Sequence, residues 1–150
     1  MAKGQRKSEF EIAIFKGFIE KAGLPIDPQS IVKRDPPEPD LLCLHKDDGY
    51  VAFELMEICD SDLTNAMSKE GEGSFLWTSD PTPKVLRKKL SRKYRTDYPL
   101  ELLLYTNGRV VTPDNLIVPT AKRMIERSKG QFRRTWFFGT QGVHLVCDFK

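Results

Sequence analysis

The chain has 150 residues, a formal net charge of +3, and 39% hydrophobic and 30% charged residues, the profile of a single water-soluble domain that can bury a core. No apolar run approaches the roughly 20 residues that a bilayer helix needs, and the basic start Met1-Ala2-Lys3-Gly4-Gln5-Arg6-Lys7 leads into an acidic amphipathic stretch, unlike a signal peptide. Cys43, Cys59 and Cys147 are odd in number and far apart, which excludes a disulfide framework and points to reduced, buried thiols in a cytoplasmic protein.

In chain order, Ser8 to about Ala22 reads as a helix closed by Gly23 and Pro25. At about 100° per residue, Phe10, Ile12, Ile14, Phe15, Phe18, Ile19 and Ala22 form an apolar arc centred near Glu11. Glu9, Lys16 and Glu20 gather on the opposite side. A carboxylate aimed into a core is costly unless a cation or a metal pairs with it, so Glu11 is the first candidate site residue.

A turn-rich connection leads to a short strand at Ser30-Ile31-Val32-Lys33-Arg34, and Pro36-Pro37-Glu38-Pro39 reads as stiff and extended. Asp40 to His45 and Tyr50 to Ile58 read as two strands joined by a hairpin turn over Lys46-Asp47-Asp48-Gly49. Alternation puts Tyr50, Ala52, Glu54 and Met56 on one face, and Val51, Phe53, Leu55 and Glu57 on the other. Glu54 is thus an acid in the middle of a strand otherwise fit for a core, unless that face is open to water. Asp40, after Pro39 at the mouth of its strand, suits a strand start, and the hairpin brings it to the same end of the sheet as Glu54. Glu57 points away from Glu54 and suits a structural partner for a basic helix more than a ligand, and Glu101, opening a later strand, has the same two readings.

Cys59 to Asp80, with Gly71 and Gly73, reads as a long irregular loop, the kind that is usually functional or mobile. Trp77 within it is suited to pinning the loop to the core or to stacking on a base. Thr82 as N-cap and Pro83 in the first turn start a second helix that runs to about Arg95. Leu100 to Thr106 is an apolar strand, Asp114 to Ser128 a third helix with Ile117, Val118, Ala121, Met124 and Ile125 on one face, and Arg134–Phe138 and Val143–Phe149 two closing strands. The whole is one domain, residues 1–150, of α/β class: α-β-β-β-α-β, then α-β-β, with a mixed central sheet flanked by helices.

The charge is unevenly spread. Lys84, Arg87, Lys88, Lys89, Arg92, Lys93 and Arg95 follow one another with no acid between them, and Lys122, Arg123, Arg127, Lys129, Arg133 and Arg134 are broken only by Glu126. Such runs are either solvated helix faces or a surface for phosphates. On the second helix, Lys89 and Lys93 project beside the apolar arc of Val85, Leu86, Leu90 and Tyr94, with Lys93 the more inward. Both lysines can also snorkel, so the arc alone leaves two roles open. No phosphate-binding glycine loop and no nucleophile triad stands out, and His45 and His144 lie at no ligand spacing from a cysteine.

Glu11 in a first helix, Pro39-Asp40 before one strand and Glu54-Leu55-Met56 within the next resemble the PD-(D/E)XK nuclease superfamily, the restriction-endonuclease-like fold. The α-β-β-β-α-β order from Ser8 to Thr106 matches that family's common core, and the last helix and two strands would be additions. The resemblance implies that Glu11, Asp40 and Glu54 bind Mg²⁺ or Mn²⁺ and that Asp40 and Glu54 act in catalysis. It further implies metal-assisted hydrolysis of a nucleic-acid phosphodiester, with DNA the expected substrate and a homodimer the form that cuts both strands. The family's lysine two residues after the strand acid is here Met56, so Lys93 or Lys89 would supply it. Arg87, Lys88, Arg92 and Arg95 would hold the flanking backbone. The alternative is a nuclease-like fold without catalysis that binds nucleic acid or a protein partner.

Overall fold

The computed structural model describes residues 3–60, 80–128 and 130–149. Most of the long loop expected over Cys59–Asp80, with Gly71, Gly73 and Trp77, lies outside the described residues, as does Lys129. The elements are α1 (Lys3–Ala22), a short 3-10 turn (Pro28–Ser30), β1 (Val32–Lys33), β2 (Leu41–His45), β3 (Gly49–Glu57), α2 (Thr82–Leu90), β4 (Leu100–Tyr105), α3 (Asp114–Arg127), β5 (Arg134–Gly139) and β6 (Gly142–Asp148). They build an α/β domain around one open, mixed sheet with strand order β1-β2-β3-β4-β5-β6.

β1, β2 and β3 are an antiparallel meander, β3, β4 and β5 run parallel, and β6 turns back antiparallel. The parallel pairs require crossovers, and α2 and α3 supply them. Their Leu86, Ile117, Ala121 and Ile125 pack with Ala52, Met56, Leu102 and Leu104 on one face of the sheet. On the other face α1 lays Phe15, Phe18 and Ile19 against Leu41, Val51, Phe53, Leu55 and Leu103, with the rings of Phe15 and Phe53 4.7 Å apart. Val51, Phe53 and Leu55 on one face of β3, Ala52 and Met56 on the other, and leucines on both faces of β4 are what a strand covered on both sides demands. Among the described residues no helix is long and apolar enough to cross a membrane.

Several sequence boundaries shift for local reasons. α1 begins five residues before Ser8, whose hydroxyl bonds back to the Gly4 carbonyl at 3.0 Å instead of capping. Residues 36–39 form a tight turn, not an extended rod: Glu38 N donates to the Asp35 carbonyl, and Arg34 N to the Asp40 carbonyl. Thr82 is the first residue of α2, not its cap; Pro81 holds the cap position without a side-chain bond, and the Asp80 carboxylate before it accepts from the Thr82 amide at 2.9 Å. The largest change is that α2 stops at Leu90, five residues before Arg95. The chain after it is held open from outside the helix: the Gln131 side chain bonds both the amide and the carbonyl of Tyr94, and Arg95 N donates to the Pro37 carbonyl. Those long-range bonds satisfy backbone groups that further helical turns would otherwise have used.

β2 leaves β3 at the Leu41–Phe53 pair, while β3 runs on to Glu57 beside β4. The result is a notch in the sheet edge alongside Glu54 and Leu55. Backbone groups exposed in such a notch need partners, and a side chain from the incoming turn supplies one.

Candidate functional site

Asp40 fills the notch. Its Oδ2 accepts from the Leu55 amide at 2.9 Å, and its own amide donates to Glu54 Oε1 at 3.0 Å. These reciprocal bonds fix the two acids against each other across the end of the sheet, as the hairpin reading expected. Glu11 reaches the same place from α1 and is only 5% exposed; Phe15 and Phe18, one and two turns on, anchor that helix face to the core. Glu11, Asp40 and Glu54 line one cleft of about 460 Å³, together with Pro36, Pro37, Glu38, Leu55, Lys7, Lys89, Arg92, Lys93 and Tyr94.

Two lysines neutralise the acids. Lys33 Nζ lies 3.0 Å from Glu11 Oε1 and 3.2 Å from Asp40 Oδ1, bridging them. Lys89 Nζ lies 2.5 Å from Glu54 Oε2, which also accepts from the Tyr94 hydroxyl at 3.1 Å. Met56 is buried among apolar side chains in the core beneath α2, and Lys89 reaches Glu54 from the helix. Lys89 is three residues from the fully buried Leu86, which turns it toward the sheet. Lys93, favoured over Lys89 on helical projection, lies past the end of α2, so that projection does not apply; it is exposed on the lip of the cleft and makes no ion pair among the described residues.

Electrostatics follow from this packing. Burial first, and the neighbouring Asp40 charge second, hold the Glu54 carboxyl above its ordinary value of 4.5 against the opposing pull of Lys89. Burial alone would lower the Lys33 ammonium, but the hydrogen bonds and charges of Glu11 and Asp40 together outweigh it and raise it. Burial, then the Glu54 carboxylate, pushes the Tyr94 phenol up, so it stays a donor. A raised carboxyl favours the folded state only when protonated: the Glu54 contribution is full below pH 4.5 and is lost as pH rises through the folded-state value. In urea unfolding, wild type is therefore expected to gain stability relative to Glu54→Gln as pH falls from about 7 toward 4.5. A difference that stays flat over that window contradicts this assignment.

The remaining sequence candidates separate. Arg92 lines the acid cleft; Arg95 lines a neighbouring one; Arg87 instead borders a groove between α2 and α3 with Arg127, and Lys88 lies on the exposed outer side of α2. Arg133 and Arg134 both pair with the buried Glu101, which also accepts from the Trp136 indole at 2.7 Å. Glu57 pairs with Arg109, not with the basic helix. Lys33 was not singled out from sequence. Ile31, just before β1, packs on the α1 side, and Lys33, two residues later, meets Glu11 on that side.

Chemically, the cleft gathers oxygen donors only, the preference of a hard divalent cation. Among the described residues no three His, Cys, Asp or Glu side chains stand in a ready-made ligand cluster, and lysine ammoniums pair with the three acids of the cleft. Lys33 nonetheless marks the point where positive charge is demanded: it is a monovalent cation held between two carboxylates. Mg²⁺ needs only one or two carboxylates when waters and a substrate phosphate complete its shell, so the donor set fits. Comparisons with protein-family models, with curated proteins and with solved structures find no match for this chain.

Proposed function

We propose that this chain is a metal-dependent nuclease that hydrolyses DNA phosphodiester bonds, on a restriction-endonuclease-like fold of the PD-(D/E)XK kind. The observation that carries the reading is the convergence of Glu11, Asp40 and Glu54, from a helix, a turn and a strand, on one cleft bordered by basic side chains. The α-β-β-β-α-β order from α1 to β4 supports the fold assignment.

In this reading Glu11, Asp40 and Glu54 hold Mg²⁺ or Mn²⁺. Bound there, the ion supplies Lewis acidity and charge neutralisation toward a phosphate ester. The chain's own residues do the rest. Asp40 and the Leu55 amide fix the carboxylate geometry. Lys89 and Tyr94 orient Glu54, and the Lys89 ammonium offers positive charge to a phosphate. Arg92 and Lys93, on the cleft lip, meet the flanking backbone. One domain of this size cuts one strand, so cutting a duplex through requires a second copy.

A second reading is favoured by the ion pairs themselves. With Lys33 on Glu11 and Asp40 and Lys89 on Glu54, the acids are already compensated. The chain would then be a catalytically inactive nuclease-like module that binds nucleic acid or a protein. Cleavage of a labelled DNA oligonucleotide in Mn²⁺ separates the two. The nuclease reading expects Lys89→Ala to lose about 100-fold or more, the scale of one lost charge-stabilising donor, and Lys93→Ala to lose less than about tenfold, as a backbone contact would. Equal losses, or no cleavage by wild type, would overturn it.

A further inference from the structure

Beside the acid cleft lies a second one of about 410 Å³, lined by Arg34, Glu38, Leu42, Ala52, Arg95 and Tyr98 among others. Its floor is the sheet: Ala52 is two residues before Glu54 and on the same face, about 6.8 Å along the strand. The two clefts share Glu38, and the hydrogen bond from Arg95 N to the Pro37 carbonyl ties their walls together. Tyr98 is 44% exposed and Tyr50 48% exposed, with ring centroids 5.6 Å apart at 50°. Two large aromatics left half in water at one end of a covered sheet stand out from the rest of the core. The Arg95 guanidinium makes no ion pair among the described residues and is exposed on the same wall.

A largely polar cleft floored by the sheet, an open aromatic face and an exposed guanidinium with no ion pair among the described residues match the parts of a mononucleotide: base edge and face, then phosphate. We propose that this second cleft takes an unpaired nucleobase adjoining the phosphate at the acid cleft, so that the chain acts on single-stranded polynucleotide. The inference rests on the nucleic-acid reading above and narrows its substrate. Tyr98, backed by Tyr50, stacks on the base, and Arg95 meets the adjacent phosphate. Stacking of this kind tolerates any base because each has a π face, but a base inside a duplex has both faces covered by its neighbours and offers none. A single aromatic shelf beside a narrow cleft therefore selects strands, ends or flaps whose bases are free.

The test is fluorescence anisotropy in EDTA, where nothing is cut, with three labelled DNA probes: a short oligothymidine, the same strand with abasic residues, and its duplex with oligoadenine. Wild type is expected to bind the single strand at least tenfold more tightly than the abasic strand or the duplex. Tyr98→Ala should lose tenfold or more on the base-bearing strand and little on the abasic one, and Tyr98→Trp should keep the base preference. Tyr98 is exposed, so a melting curve suffices to show that the variants fold. Equal binding of abasic and base-bearing strands, tighter binding of duplex, or a uniform loss in Tyr98→Ala would overturn the inference while leaving a nucleic-acid-binding protein. Failure to bind any of the probes would overturn the nucleic-acid reading and this inference with it.

Discussion

Glu54→Gln is expected to remove metal-dependent cleavage by more than about 100-fold, beyond what loss of a merely supporting group costs. Glu54 is where the chain's constraints meet. It is 3% exposed, receives the Asp40 amide, the Tyr94 hydroxyl and the Lys89 ammonium, and lies in the sheet notch next to the Leu55 amide that Asp40 occupies. Glutamine keeps the shape and the acceptor for the Asp40 amide but removes the charge that would bind a cation under the proposed function. It also leaves Lys89, a largely buried ammonium, without its counter-ion, which offsets what removing the desolvated Glu54 charge gains. Activity should therefore be compared at a temperature where both proteins are folded, with unfolding followed in parallel. Cleavage by Glu54→Gln within about tenfold of wild type would place the chemistry elsewhere, since a group that binds the catalytic cation cannot lose its charge so cheaply.

Lys33→Met should act in two opposite directions. Without metal it leaves Glu11 buried and uncompensated and Asp40 without its bridging cation. Lys33 itself is partly exposed, so the cost falls below that of a fully buried pair, about 1–3 kcal/mol, read as a lower urea midpoint. With Mn²⁺ present the same variant should regain stability, because an ion that binds only the folded chain stabilises it by about 2.7 kcal/mol at a hundred times its dissociation constant. Wild type should show the smaller Mn²⁺-induced shift, since there the ion must first displace the ammonium. A Lys33→Met protein that is destabilised and insensitive to Mn²⁺ would mean that the lysine is only a structural counter-ion.

The parts of this site that were legible in the sequence are those set by short-range periodicity. Glu11 was visible because 3.6-residue spacing placed it among Phe15, Phe18 and Ile19, which are buried against the sheet. The proximity of Asp40 and Glu54 followed from a hairpin closed at Gly49, whose φ of +76° is one that glycine takes freely. Lys33 escaped notice because β1 is two residues long, too short for alternation to stand out, and its importance comes from a helix twenty-two residues earlier. That Lys89 and not Lys93 contacts Glu54 has a different reason. Helical periodicity was carried through to Arg95, whereas the Gln131 side chain, 37 residues downstream of Tyr94, holds that segment out of the helix. Local propensity has no access to such a bond, and tertiary context overrides it.

The central claim is that Glu11, Asp40 and Glu54 form one divalent-cation site. Isothermal calorimetry with Mn²⁺ on wild type, Glu11→Gln, Asp40→Asn and Glu54→Gln tests it most directly. The account predicts one saturable site in wild type, with affinity lowered at least tenfold by each of the three substitutions while the variants remain folded. No binding by wild type, or binding that all three variants retain at full strength, would contradict it and leave a network of lysine–carboxylate pairs with a structural role.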